Sequence, residues 1–338
     1  MGDMRVVGRR RGNYCKTFTG SSYNIMDTNR RNFMINGGLA GLGLLLSSFE
    51  KAPVPVRAEA APGFALKILA TNWGYAGTMD EFCARVKKEG YDGVEVWWSA
   101  DKNETDTLFR ALKKYGLSVG FLCGGSSADP AIHFSEFKTA IEAATSQTDQ
   151  GISQRPLYIN CHSGRDFFDA SDNQKFIDLT NSISEKTGIL ICHETHRSRM
   201  LFAAHIARGF IQRNPALRLT LDISHWCNVH ESLLQNQKET VDLALSRTRH
   251  IHARVGHPEG PQVNDPRAPE WQDTVNAHFA WWDAVVAAHR KSGTPLTILT
   301  EFGPADYMPT LPYTREPVAN QWDINVYMMQ VLRKRYAI

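Results

Sequence analysis

The sequence predicts an α/β protein whose body, residues 61–338, is a single (β/α)8 barrel, or TIM barrel, preceded by a cleavable N-terminal signal segment, residues 1–60. From residue 64, short apolar or β-branched runs alternate eight times with longer amphipathic stretches, as parallel strands alternate with crossover helices. No Gly-x-Gly-x-x-Gly follows the first run, so an open dinucleotide-binding sheet lacks its fingerprint. The 338 residues suit one barrel domain, since such barrels commonly have ~250.

The predicted elements follow in order along the chain. The strands are 66–71, 93–98, 118–123, 156–162, 189–196, 217–225, 250–255 and 296–302. The helices are 79–89, 104–115, 134–144, 172–187, 200–213, 232–246, 270–290 and 318–335. Gly90, Gly116 and Gly188 stand just before strands, where a glycine commonly ends the preceding helix. One long proline-rich loop, 256–269, follows strand seven.

The first sixty residues resemble a twin-arginine export signal. Arg30 and Arg31 precede an uncharged apolar run at 35–46, and Ala58-Glu59-Ala60 offers a small-x-small cleavage site. The run is shorter than the ~20 residues that span a bilayer, so no stable membrane insertion is expected. We expect an exported, periplasmic protein, with a disordered basic tail as the alternative. Met26 is an alternative start.

The net charge and the cysteine spacing bear on the partners and on the disulfide content of the protein. The first sixty residues carry nine Lys/Arg and four Asp/Glu, a net charge of +5, so the net +3 of the whole chain leaves −2 for the body. A mildly acidic body gives no support for a nucleic-acid partner. The six cysteines are scattered without a Cys-x-x-Cys pair. They are expected to be small buried residues, with a disulfide as the alternative in an exported protein.

Ionisable residues collect at the predicted carboxyl ends of the strands, where barrels of this kind place their active sites. Glu194, Asp222, His252 and Glu301 lie towards the ends of predicted strands five to eight and form a mostly oxygen ligand set. Three carboxylates in a partly desolvated mouth repel one another unless a cation joins them. We therefore predict one divalent metal ion, Mn²⁺ or Mg²⁺ by preference, with Zn²⁺ and Co²⁺ also suited.

Strand parity adds further expectations. His250, His252 and Arg254 alternate along strand seven and are expected to share one side of it. His193 and His196 differ in parity, so one of them is expected to face away from the site.

The strand-end motifs are similar to those of the xylose isomerase-like barrel superfamily, in its sugar isomerase and epimerase branch. The resemblance covers about residues 64–335. It rests on one motif near each of strands five to eight and on an early one: CHETH with Glu194, LDISHW with Asp222 and His225, HIHAR with His252, LTEFGP with Glu301, and DGVEVW with Glu95.

The resemblance implies a role for each matching residue. Glu194, Asp222, His252 and Glu301 would bind the metal, Mn²⁺ by preference. Glu194 and Glu301 would also exchange protons on opposite faces of the substrate. His225 would contact the substrate oxygens at the metal.

Six further side chains are expected to bind the substrate. These side chains are Glu95, His162, His196, Arg254, His257 of the long loop and Trp98 as an aromatic wall. Tryptophans nearby could equally be packing residues, and the loop either caps a larger substrate or is a packing insertion. The implied reaction is isomerisation or epimerisation of an unphosphorylated sugar, polyol or keto-sugar through an enediolate.

The sequence leaves three alternative functions open. Loss of a β-hydroxyl from the same enediolate would make the protein a dehydratase or lyase. A non-catalytic carbohydrate-binding barrel is the second. The third is an apurinic endonuclease, which shares the barrel but needs further metal histidines on strands two and three, where this sequence has EVWW and CGG. Barrels of this branch often form dimers or tetramers, so the resemblance also allows a homo-oligomer.

Overall fold

The computed structural model describes residues 60–146 and 154–338. Apart from Ala60, the predicted signal segment lies outside these residues. Eight parallel strands close into a barrel in chain order, which confirms the predicted fold. The strands are β1 (Leu66–Thr71), β2 (Gly93–Trp97), β3 (Ser118–Gly124), β4 (Ile159–His162), β5 (Ile191–Glu194), β6 (Leu219–Leu221), β7 (Thr248–His252) and β8 (Leu296–Thr300).

Helices cover the outside of the barrel. They are α1 (Met79–Glu89), α2 (Lys102–Tyr115), α3 (Pro130–Ser146), α4 (Ala170–Thr187), α5 (Ala204–Arg213), α6 (Ile223–Val229), α7 (Lys238–Arg247), α8 (Gln272–Ser292) and α9 (Gln321–Tyr336). Local sequence sets their ends. Thr78 and Glu81 form a capping box at the start of α1, and Gly90 ends that helix at φ 95°. Within the described residues, no helix has the length and apolar content to cross a membrane.

The prediction for strand six was wrong. The predicted strand 217–225 contains only a three-residue strand, because the chain turns at Asp222 into the short helix α6. Asp222 is the N-cap of α6, and its carboxylate accepts a hydrogen bond from the Ser224 N–H at 3.1 Å. A short apolar run is compatible with either a strand or a buried helix, and here the capping residue decides. His225 therefore lies on a helix.

Strand parity separates two layers of side chains. Residues of one parity, such as Ile68, Val94 and Ile251, join the large apolar core between barrel and helices. Residues of the other parity face the barrel axis, where Leu69 and Leu299 pack in a separate small cluster. Apolar residues thus fill the lower part of the barrel, and polar residues are left for its carboxyl end.

The described cysteines support the expectation of small buried residues. Cys83, Cys123, Cys161, Cys192 and Cys227 are all buried and free. Burial raises the pKa of Cys83, Cys192 and Cys227 to about 12, so these thiols stay protonated at neutral pH.

The loop 256–269 packs against the barrel instead of covering its mouth. Gln262 accepts a hydrogen bond from the Gly303 N–H at 2.7 Å and donates to the Gly303 carbonyl at 3.2 Å. Val263 is fully buried, and its N–H donates to the Val255 carbonyl at 2.9 Å. These contacts tie the loop to the segment after β8, so it is a packing insertion.

A neutral buried histidine fixes the start of this loop. The Gly256 N–H donates to Nε2 of His278 at 3.2 Å, so the proton must lie on Nδ1, which donates to the Thr274 carbonyl at 2.9 Å. Burial lowers the pKa of His278 to about 4, against the opposing effect of the Thr274 hydrogen bond. Protonation of Nε2 would break its bond with Gly256.

We expect this histidine to destabilise the fold in acid. The pKa of His278 is lower in the folded than in the unfolded chain, where it is ~6.5. Its contribution to the free energy of unfolding is therefore fully present above pH ~6.5. It is lost as the pH falls towards 4, by about 1.4 kcal/mol per pH unit. Urea unfolding at pH 7 and pH 5 measures the loss. His278→Gln, which keeps an acceptor, should flatten the pH dependence of the unfolding free energy; an unchanged slope would contradict the assignment.

Candidate metal centre

The four predicted ligands meet at the carboxyl end of the barrel because each stands at the end of its strand. Glu194 is the last residue of β5, Asp222 follows β6, His252 ends β7, and Glu301 follows β8. The side chains of Glu194, Asp222 and His252 are buried, and that of Glu301 is 12% exposed. One ligand atom each from Asp222, His252 and Glu301 lies within 4.8 Å of the others.

Short distances join these groups. His252 Nδ1 lies 2.9 Å from Glu301 Oε2 and 3.7 Å from Glu194 Oε1. Glu194 Oε2 accepts hydrogen bonds from Asn160 Nδ2 at 2.7 Å and from His162 Nε2 at 3.0 Å. The free Oε1 of Glu194 therefore faces His252.

The arrangement of His252 and Glu301 fits a metal ion. Both His252 Nδ1 and Glu301 Oε2 are buried and have no hydrogen-bond partner within 60–146 and 154–338, although they lie 2.9 Å apart. They approach without the angles of a hydrogen bond. Two donors at right angles, each ~2.1 Å from one ion, lie ~3 Å apart. The residues present thus fit a divalent cation.

The carboxylates and histidines of the cluster shift one another's pKa values. Burial opposes the charge on His252, but Glu301, Glu194 and Glu95 raise its pKa well above the ordinary value. Burial likewise opposes ionisation of Glu194, yet His162 and His252 hold its pKa well below the usual range.

Asp222 is the exception among the carboxylates. Burial raises its pKa to about 6, although Arg254 opposes the shift. Its Oδ2 forms a buried ion pair with Arg254 Nη2, and its Oδ1 accepts from Ser224. Arg254 Nη1 also lies 3.6 Å from Glu301 Oε2. Arg254 is therefore a fixed positive charge between two of the candidate ligands.

Glu95 contacts the Nε2 side of the His252 ring, whereas Glu301 lies at Nδ1. Glu95 Oε1 is 3.2 Å from His252 Nε2, and its Oε2 is 3.2 Å from His250 Nε2. Tyr158 donates to Oε2 at 2.8 Å. The Tyr158 ring reaches this position only because residue 120 is glycine, where a Cβ would lie 2.4 Å from the ring. A carboxylate behind a ligating histidine fixes the orientation of the ring.

A cavity of about 540 Å³ opens above the cluster. Of the predicted substrate contacts, Glu95, His162, His196 and Arg254 line it, together with the predicted ligand Glu301. The parity expectations are confirmed as well. His193 turns to the helices and bonds to Thr180 of α4 at 2.7 Å, whereas His196 faces the cavity.

Three residues that were predicted to contact the substrate do not line this cavity. His225 is fully buried, accepts from Arg254 Nη2 at 2.8 Å and lies 3.6 Å from Asp222 Oδ2. His257 packs on Trp271 at 4.8 Å between ring centres and does not line this cavity. Trp98 packs on Phe121 and lines a neighbouring cavity instead.

Several functional candidates were missed by sequence reasoning. Asn160 shares the parity of His162 on β4, so strand alternation could have identified it. Trp73, Arg199 and Tyr307 also line the cavity. They lie in loops, and the periodicity of the sequence does not predict the direction of a loop. The Arg254 guanidinium lies 4.6 Å from the centre of the Tyr307 ring.

Fold and site together define a (β/α)8 barrel with a cluster of carboxylates and histidines, suited to a divalent cation, at its carboxyl end. A comparison with protein-family models gives no match, and neither does a sequence comparison with curated proteins.

The solved structures that are similar to this chain include two with TM-scores of 0.50 or above. One is a D-tagatose 3-epimerase-like protein, with a TM-score of 0.53 and 14% identity over 80% of this chain and 97% of the other. The other is an AP endonuclease, family 2, from Brucella melitensis, with a TM-score of 0.50 and 14% identity over 78% of this chain and 98% of the other. At this identity the likeness shows the fold alone, a closed α/β barrel of eight parallel strands.

Proposed function

We propose that this protein is a metal-dependent sugar isomerase or epimerase that moves a proton through an enediolate of an unphosphorylated sugar or keto-sugar. The observation that carries the proposal is the meeting of His252 Nδ1 and Glu301 Oε2, 2.9 Å apart, buried and unpartnered within the described residues, beside Glu194 and Asp222. This geometry supports a cation site with carboxylates next to it, in a cavity of sugar size.

Glu194, Asp222, His252 and Glu301 would hold the cation. Three carboxylates and one imidazole suit Mn²⁺ best, with Mg²⁺, Co²⁺ and Zn²⁺ as further candidates. A divalent cation held there would supply Lewis-acid polarisation of a carbonyl and its neighbouring hydroxyl, which acidifies the adjoining C–H.

The two glutamates divide the proton transfer between them. Glu301 lines the cavity, and since its Oε2 is assigned to the cation, we assign the proton of the substrate carbon to its Oε1. The lowered pKa of Glu194 keeps that carboxylate ionised at neutral pH, and Asn160 and His162 fix its orientation. Return of the proton to the opposite face gives an epimer, and return to the neighbouring carbon gives an isomer.

Arg254 and His196 would bind substrate oxygens. Both line the cavity, and Arg254 is held rigidly by Asp222 and His225. Burial, with the nearby His162, lowers the pKa of His196 well below its ordinary value, so it stays neutral. Its Nδ1 donates to the Arg197 carbonyl, which leaves Nε2 as an acceptor for a substrate hydroxyl.

The nuclease alternative is less well supported. It would need histidine ligands at the ends of β2 and β3, where this chain has Trp97 and Cys123-Gly124. Since the cavity lining contains histidines only from the segments after β3, an enlarged metal cluster on that side lacks histidine ligands.

The test combines metal content with isotope exchange. Purified full-chain protein, loaded with Mn²⁺, is incubated in D₂O with a panel of ketoses, aldoses and inososes. We expect about one bound metal per chain and metal-dependent deuterium incorporation next to the carbonyl, because the proton lost to the glutamate exchanges with solvent. Chelation should abolish the exchange and Mn²⁺ should restore it. A folded protein that binds no divalent metal, or exchange that survives chelation, would refute the proposal.

A further inference from the structure

A second cavity adjoins the one above the metal cluster. Its volume is about 380 Å³, and Asn72, Val96 and Trp97 line both cavities. Trp97 is the last residue of β2, and its side chain is 54% exposed although it lies at the mouth of the barrel. The two cavities are therefore neighbours, and Trp97 lies between them.

The second cavity has the chemistry of a sugar-binding site. Trp98 and Phe121 supply aromatic surface, and Ser99, Glu104 and Thr105 supply polar groups. Sugar rings present apolar C–H faces to aromatic side chains and hydroxyls to polar ones.

Two of these groups lack partners. Trp98 Nε1 is a buried donor without a hydrogen-bond partner in the described parts of the chain, and such a donor requires an acceptor. The exposed Glu104 carboxylate forms no ion pair there either. No candidate metal ligand lines this cavity, which makes it a place for binding and not for chemistry.

Short contacts connect the second cavity to the metal cluster. Trp97 packs edge-on against His162, with ring centres 5.3 Å apart, and His162 Nε2 lies 3.0 Å from Glu194 Oε2. A sugar unit beside Glu194 and Glu301 would thus have its linked neighbour at Trp97.

We propose that the substrate consists of two linked sugar-sized units, with the reacting unit in the first cavity and the second unit between Trp97, Trp98 and Glu104. The inference rests on the proposed function, since it takes the metal cluster as the reacting end. It narrows the substrate class from free monosaccharides to glycosides or disaccharides that carry a carbonyl unit.

The probes are fructose and three disaccharides that contain a fructose unit, namely lactulose, turanose and isomaltulose. Deuterium exchange is measured with the Mn²⁺-loaded full chain. We expect kcat/KM for the best disaccharide to exceed that for fructose by about tenfold or more, the ratio given by ~1.4 kcal/mol of additional binding. A fructose value equal to or above all three disaccharide values would overturn the proposal.

Variants of α2 test whether the second cavity causes the preference. Glu104→Trp fills the cavity and should reduce the disaccharide-to-fructose ratio to about one, because a bulky side chain there excludes the second unit. Glu104→Ala should lower the ratio in part. Asn103→Trp, a matched change at the adjacent exposed position outside the cavity, should keep the wild-type ratio. A wild-type ratio in Glu104→Trp would contradict the assignment.

Binding separates this inference from the proposed reaction. Calorimetric titration of the same sugars into wild type, Glu104→Trp and Asn103→Trp does not depend on turnover. If no sugar exchanges deuterium but lactulose or turanose binds more tightly than fructose, and only Glu104→Trp removes the difference, the second site stands while the reaction fails. Exchange on fructose without any disaccharide preference in binding would leave the reaction standing and refute the second site.

Discussion

Replacement of Glu301 by glutamine is expected to lower the rate of deuterium exchange by a factor of about 100 to 10,000, the range of general acid–base catalysis. Glutamine keeps the size of the side chain but cannot take a proton. Glu301 is the candidate ligand that lines the cavity, and its Oε2 has no hydrogen-bond partner among the described residues. The loss should therefore appear in kcat more than in KM.

The loss of a base must be distinguished from the loss of a metal ligand. Exchange by Glu301→Gln is measured as Mn²⁺ is raised to saturation. A base role predicts that the rate stays low with the metal fully bound, whereas complete recovery at high Mn²⁺ would show that Glu301 acts only as a ligand. Glu316→Gln, in the same segment after β8 but exposed to solvent and away from the cluster, should match wild type.

Replacement of Glu95 by alanine is expected to have the largest effect on stability. Its carboxylate is buried between His250 and His252 and accepts a hydrogen bond from Tyr158. Burial opposes its ionisation, but His252 and His250 hold its pKa below the ordinary value, so the charge is part of the folded state. Removal of one partner from a buried ionic group costs about 3–5 kcal/mol.

The same change should weaken metal binding about 10- to 100-fold, because His252 loses the acceptor that orients its ring. Urea unfolding and Mn²⁺ titration measure the two effects. Glu185→Ala, an exposed position on α4, is the control and should change neither. Tyr158→Phe removes a single donor to Glu95 and should cost about 1 kcal/mol. A stable Glu95→Ala protein with unchanged Mn²⁺ affinity would show that Glu95 does not position His252.

The substrate contacts show where prediction from the sequence stops. His162 and Arg254 were identified because strand parity and the carboxyl end of a barrel strand place them near the axis. The structure places His257 against Trp271 and outside the cavity above the metal cluster, and it places Trp98 against Phe121 in the neighbouring cavity.

Glu95 illustrates a different limit. The sequence places it at the mouth of the barrel, but its role depends on the atoms that surround it. Its oxygens contact Tyr158, His250 and His252, so Glu95 supports His252 as well as lining the cavity. Those contacts join strands that are far apart in the chain, so no local pattern reveals them.

The sequence by itself determined the barrel and the ring of strand ends on which Glu194, Asp222, His252 and Glu301 stand. A period of two along strands and of 3.6 along helices is a local property, and barrel closure then brings the strand ends together. Only the tertiary structure decided which atoms are left unpaired, that His225 lies on a helix behind the cavity, and that Trp97 lies between two cavities. The reason is that loop direction and side-chain pairing depend on packing between segments distant in sequence, which periodicity does not encode.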